Sequence, residues 1–394
     1  MTRALRYWPA PPALQAVVWQ ALGSAATLGA ALWVTASLGL AAQGEFGLAK
    51  SWFDAAAAIC ALGLPQGLLH LHYRRALPLA AMRPWLARGG LGLGTAALLA
   101  AGAMLLAEQR LAVAVLLSLP FAVGHLLARS VLLAQCGPVV FGIVTALPAL
   151  CVLGGVAVFG VLQQSQGFDL LLLAAAALAG STSIAMAWRS AGQMSRVEWS
   201  RTELWQVSLK SWLQGAFAAL MPAGLLATVT WSGHDAIALG AASLGLHLYQ
   251  LFAVLAGYVA PLLFDHLARQ DRPALTAWPA AARRAAMVLL GLASIGVLAS
   301  AMRPPLAAWL LPLSLMLTAG IAAVAARVHA TVLLARGEYS ELSRQAFWRL
   351  ALALGLTALA LRWLPAAAAV ALALLVIEAL SWWRAAALTQ AAPP

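Results

Sequence analysis

Apolar runs of about twenty residues recur along this chain, each long enough to cross a hydrocarbon layer as a helix. They predict spans at 13–40, 46–70, 89–107, 111–135, 139–162, 170–187, 211–230, 236–264, 285–302, 306–326, 346–361 and 366–383. Strict alternation of apolar and polar residues, the mark of a membrane β-barrel, does not recur, and the Ala and Leu excess favours helix. The expected fold class is an all-α polytopic membrane protein of about twelve transmembrane helices. The stretch 306–335 can be read as one helix or two.

The connections alternate in length. On one side they are short, at 41–45, 108–110, 163–169, 231–235 and 303–305; on the other they are longer and basic. With the N-terminus placed inside, twenty of the 24 Lys and Arg residues fall in inner segments. Only Arg110, Arg303 and Arg362 fall outside, and Lys50 lies within a span. This asymmetry sets the orientation by the positive-inside rule and puts both termini in the cytoplasm. No small-residue cleavage site follows the basic start, so the first helix is expected to be retained. The longest polar inner segment, 188–210, divides the spans into two sixes: 1–187 as an N-lobe and 211–394 as a C-lobe. Its Trp188, Trp199 and Trp205 among basic residues suit a headgroup-level amphipathic linker, with an ordinary polar loop as the other reading. Ser200 and Glu203 have capping-box spacing, which predicts a helix starting there and continuing into the seventh span.

Composition agrees with lipid as the solvent. Hydrophobic residues make up 63% of the 394 positions and charged residues only 9%, with mean hydropathy +0.88. Average soluble domains carry about a quarter charged residues. The net charge of +12 is explained by the topology and calls for no nucleic acid. Cys60, Cys136 and Cys151 have no metal-ligand spacing and read as apolar fillers. No HExxH, Walker A, CxxC, G-x-S-x-G or DxD pattern occurs, and no segment outside the spans is long enough for a catalytic domain. Neither a metal, nor a cofactor, nor an enzymatic activity is expected.

Ionisable groups inside spans cost several kcal/mol or more and therefore mark function or pairing. Lys50 and Asp54 share a helical face at i, i+4, in the outer half of the second span as predicted here. They read either as a mutually neutralising pair or as a cation, tuned by Asp54, that faces a water-filled cavity. His125 and Arg129 repeat the spacing in the fourth span, where Arg129 can also snorkel to headgroups. His247, Tyr249, Gln250 and Tyr258 make the eighth span polar, and His247 reads as a packing residue or a proton carrier. Arg327, His329 and Glu378 are further candidates. Glu378 has no local partner, so it requires a proton or a contact with another helix. Gln15 and Gln20 are the strongly polar side chains of the first span. Prolines interrupt many spans and offer bending points.

The residues Gly44-Glu45-Phe46-Gly47-Leu48-Ala49-Lys50-Ser51-Trp52, with Leu62-Gly63-Leu64-Pro65-Gln66-Gly67-Leu68, resemble the second-helix region of bacterial polysaccharide flippases. These are O-antigen and capsule exporters of the multidrug/oligosaccharidyl-lipid/polysaccharide (MOP) superfamily. The run from Leu239-Gly240 through Tyr249-Gln250 to Pro261 resembles the matching region of their second lobe. The resemblance implies two six-helix lobes forming a V around a central cationic cavity. It implies transfer of an undecaprenyl-pyrophosphate-linked oligosaccharide across the bacterial inner membrane by alternating access. Cavity residues are then expected among Lys50, Asp54, Gln20, His125, Arg129, His247, Tyr249 and Gln250, with Asp54, His247 and Glu378 as candidates for ion coupling. Partners would be the lipid-linked substrate, membrane lipids, and the polymerase and glycosyltransferases that make and use it. First-helix cavity arginines of the peptidoglycan-precursor branch are missing here, which points to a different or weakly charged glycan. The other readings are an ion-coupled multidrug or organic-cation antiporter of the same superfamily and, third, a membrane-embedded enzyme acting on lipid-linked sugars.

Overall fold

The computed structural model describes residues 11–75, 82–163, 167–190, 200–251, 304–335 and 338–391. Among them eleven helices and no strand occur. They are α1 (Pro11–Cys60), α2 (Leu64–Arg75), α3 (Arg83–Leu106), α4 (Arg110–Cys136), α5 (Pro138–Val161), α6 (Phe168–Ser190), α7 (Arg201–Trp231), α8 (Ala236–Leu251), α9 (Pro304–Ala335), α10 (Tyr339–Ala360) and α11 (Ala366–Ala391). Among the described residues, eight helical stretches are long and apolar enough to cross a membrane. Every predicted span coincides with a helix or part of one, except 46–70, which covers the end of α1, a turn and part of α2, and 285–302, which lies outside the described residues, as do 252–264 of the eighth span and 191–199 of the linker. The stretch 306–335 is one helix, α9.

The largest departure from the sequence reading is at the first outer connection. Residues 41–45 are helical, and the break falls on Gly39 alone, at φ 90° and ψ 170°. A side chain is strained at that φ, and glycine is not. α1 therefore has two limbs, 11–38 and 40–60. The second limb spans about 30 Å, the thickness of a hydrocarbon core. It ends at Cys60, short of the predicted residue 70, and the following residues form the separate helix α2. Lys50 thus sits at the centre of its limb rather than in the outer half of the span. At the start of α7 the Ser200 hydroxyl accepts the Glu203 amide at 3.1 Å, the cap its spacing predicts.

The described chain forms two compact units. One comprises Val18–Leu38 and Leu48–Ala223; the other comprises Met1–Val17, Gly39–Gly47 and Gly224–Pro394. In the first, α4 packs on α2, α3, α5 and α6, over a core that includes Leu68, Leu71, Met82, Leu132 and Leu204. Trp212 donates its ring N–H to the Ile59 carbonyl at 2.7 Å, tying α7 to the end of α1. In the second unit α9 and α10 pack on α11. Trp188, Trp231 and Trp363 are exposed near helix ends, as expected of rings at the lipid–water boundary.

The second unit also shows how residues 40–47 are held. A Cβ on Gly44 would lie 2.9 Å from the Ala236 carbonyl oxygen and 3.0 Å from the Gly240 nitrogen, and one on Gly240 would overlap the Leu40 carbonyl. The two backbones approach this closely only because these positions carry no side chain, as in small-residue helix contacts in lipid. Gln43, fully buried, donates to the Ser243 hydroxyl at 3.1 Å across the contact.

This packing makes a differential prediction. Gly240→Leu should lower the unfolding temperature of the detergent-solubilised protein by several degrees or abolish its folded peak, since overpacking costs about 1–3 kcal/mol or more. Gly92→Leu, on α3 where no atom lies within 4 Å of the added Cβ, should leave it unchanged. Equal behaviour of the two variants in a thermal-shift measurement would contradict the packing described.

Candidate functional site

Two ion pairs lie near the middle of apolar helices, one in each compact unit. The first is Lys50 with Asp54. Lys50 is about 15 Å from either end of the second limb of α1. One helical turn separates it from Asp54, and its ammonium donates to the Asp54 Oδ2 at 2.5 Å. The Lys50 side chain is 16% exposed and that of Asp54 61%. A carboxylate this open is costly against hydrocarbon, which favours water on this face of the limb.

The second pair joins three helices. Glu378 of α11 is wholly buried, and its Oε1 accepts the Tyr249 hydroxyl of α8 at 2.5 Å and the Arg349 guanidinium of α10. The helical rise places the three residues about 16–20 Å from the ends of their helices on the side assigned to the outside. Three helices thus bring their polar groups to one depth. Oε2 of Glu378 is buried and has no hydrogen-bond partner. Exposure separates the two pairs: the Lys50 pair is open at its carboxylate, whereas the Glu378 carboxylate is closed off on every side.

The other sequence candidates are hydrogen-bonded, stacked on rings, or buried. His125 is buried, its Nδ1 lies 2.8 Å from the Ser183 hydroxyl, and Ser183 in turn donates to the Ala179 carbonyl at 2.6 Å, which makes His125 Nδ1 the donor. Arg129 places its guanidinium over the Phe141 ring, 5.5 Å from the centroid. His247 donates from Nδ1 to the Ser243 carbonyl at 2.8 Å and stacks on Phe46 with 6.2 Å between centroids. Gln20 is fully buried in its unit, and neither amide atom has a hydrogen-bond partner. Gln250 is half-buried, next to Tyr249. His329 meets the Thr389 hydroxyl at 2.9 Å.

Arg349 was not among the sequence candidates. The charge pattern counted it with the inner segments, but α10 begins at Tyr339, so Arg349 lies in the middle of the helix. The signal was present in the spacing: Glu341, Gln345 and Arg349 recur every four residues along one face of α10. Near the start of α10, Glu341 pairs with both Arg344 and Arg384.

No family model matches the sequence, and no curated protein matches it significantly. Solved structures do. The chain superimposes on a MATE transporter in complex with Br-NRF with a TM-score of 0.68 and 13% identity, covering 96% of this chain and 95% of that one. It also matches the inward-facing conformation of a multidrug resistance MATE family transporter of the MOP superfamily, with TM-score 0.64, 13% identity and coverage of 94% and 96%. A third match is a MOP superfamily transporter from Pyrococcus furiosus, described as having a binding pocket of reverse polarity that suggests a different function. Its TM-score is 0.62, with 14% identity over 96% of each chain. The chain therefore shares the all-helical fold of these solved transporters.

Breaking a buried ion pair from one side costs about 3–5 kcal/mol, while removing both charges is often close to neutral. Arg349→Met and Glu378→Gln should each lower the unfolding temperature markedly, and the double variant should recover most of the loss. A double variant as unstable as the sum of the singles, in the same thermal-shift assay, would contradict a pair whose members exist to neutralise each other.

Proposed function

We propose that this protein is a flippase that moves an undecaprenyl-pyrophosphate-linked oligosaccharide across the cytoplasmic membrane by alternating access, for polysaccharide assembly. The fold supports transport, because the solved structures it resembles are transporters and one is described as inward-facing. The substrate reading rests on the residues 44–68 that resemble polysaccharide flippases and on one structural observation: the open Lys50–Asp54 pair at mid-membrane depth. A polar group wetted at that depth is placed to meet a hydrophilic headgroup on its way across, not a lipid tail. In this reading the lobes are 1–187 and 211–394, joined by 188–210, both termini are cytoplasmic, and the partners are the enzymes that build and polymerise the glycan.

A second reading, an ion-coupled multidrug antiporter, draws on the multidrug resistance transporters of like fold. Such a transporter needs a membrane-embedded carboxylate free to exchange an organic cation for a proton or sodium. Among the described residues, the carboxylates near mid-membrane depth are Asp54 and Glu378, and each is held by a cation of this chain, Lys50 or Arg349. This favours the flippase. The fold itself is neutral on the point, since the Pyrococcus furiosus relative of the same fold is described as having reversed pocket polarity.

The test is mass spectrometry of lipid-linked oligosaccharides in a deletion strain of the host, with leaflet access read by a membrane-impermeant reagent. The expected result is accumulation of one lipid-linked glycan on the cytoplasmic face, relieved by the wild-type gene and not by Lys50→Ala at equal protein level. Unchanged glycans, together with proton- or sodium-dependent efflux of organic cations from vesicles, would overturn the proposal.

A further inference from the structure

We infer that Lys50 and Asp54 act as one unit that reads sugar hydroxyls, so that the carried headgroup meets this pair through an uncharged part of its glycan and not through its pyrophosphate. The inference rests on the flippase reading and narrows its substrate class. Its basis is the geometry of the pair. The ammonium and the carboxylate are 2.5 Å apart on consecutive turns of one helix, so their charges cancel over any distance larger than the pair itself. A phosphate approaching Lys50 meets the Asp54 carboxylate within the same few ångströms, and 61% exposure leaves that carboxylate in its path. A clamp for pyrophosphate would present cations without an adjacent, more exposed anion.

A hydroxyl has the opposite preference. It donates one hydrogen bond and accepts others, the ammonium is donor only, and the ionised carboxylate is acceptor only. Neighbouring hydroxyls of a sugar ring can therefore donate to Asp54 and accept from Lys50 at once. Each bond is charge-assisted, and neither group loses its neutralising partner. Only Oδ2 of Asp54 is engaged by Lys50, which leaves Oδ1 for a ligand, and the ammonium keeps two further N–H donors. Asp54, the more open of the two, would make the first contact, with Lys50 fixing its position and adding the second bond.

The experiment measures binding to the purified full-length protein in detergent. The probes are undecaprenyl pyrophosphate bearing an uncharged oligosaccharide, the same lipid without sugar, the free oligosaccharide, and inorganic pyrophosphate. Losing a hydrogen bond to a charged group corresponds to a loss of about ten- to a hundred-fold in affinity. Asp54→Asn and Lys50→Gln are both expected to weaken binding of the glycan-bearing lipid by that factor and to leave binding of the bare lipid within about twofold. Free oligosaccharide should compete in wild type and not in either variant. Exchanging the two groups, Lys50→Asp with Asp54→Lys, keeps the pair and should restore most of the affinity, which a general packing role would not do. The inference is overturned if Asp54→Asn tightens binding of the bare lipid or of inorganic pyrophosphate while Lys50→Gln weakens it, the signature of an anion clamp. It is also overturned if both variants bind the glycan-bearing lipid as wild type does. If wild type binds neither lipid and takes up organic cations instead, the flippase reading itself falls.

Discussion

A charge at mid-membrane depth has to be met by an opposite charge or by water, because hydrocarbon supplies neither. In this chain the two answers lie in different places. Glu378 is met by Arg349 and Tyr249, which fixes α8, α10 and α11 against one another at one level. Lys50 is met by Asp54 on its own helix, a pairing that constrains no second helix, and the exposure of Asp54 favours water on that face. The closed pair ties three helices of the C-terminal half together. Under the proposed function, the open pair meets the hydrophilic cargo.

The packing around these pairs follows from a different economy. Helices in lipid gain little from burying apolar side chains against each other, so close approach depends on small residues. Gly44 and Gly240 bring residues 40–47 onto α8, and the buried Gln43–Ser243 bond fixes their register. Phe46 stacked on His247 extends the same contact by one turn. His247 is therefore occupied by packing and by its bond to the Ser243 carbonyl.

Much of this architecture could be read from the chain itself, because a run of about twenty apolar residues has one stable form in lipid. The sequence also singled out Lys50, Asp54, Tyr249 and Glu378, since polar groups in such runs are rare. Depth was less legible. A single glycine in a rare backbone conformation, Gly39, replaces a five-residue connection and moves Lys50 from the outer half of its span to the centre. The partner of Glu378 was hidden for a related reason: counting Arg349 as a headgroup charge is right for most arginines of these segments and wrong for the one held by a carboxylate twenty-nine positions away. Pairings between helices do not show in periodicity, which records only which residues share a face.

The division of roles between the two pairs depends most on the Lys50–Asp54 face being wetted while Glu378 is sealed. The direct measurement is thiol labelling in intact membranes, with Cys60, Cys136 and Cys151 replaced by alanine and one cysteine introduced at a time. Asp54→Cys should react with a membrane-impermeant thiol reagent applied to right-side-out or inverted vesicles. Glu378→Cys, combined with Arg349→Met, should stay unlabelled until the protein is denatured. An unreactive thiol at position 54 in folded protein, or a reactive one at 378, would contradict the division of the two pairs into an open site and a closed support.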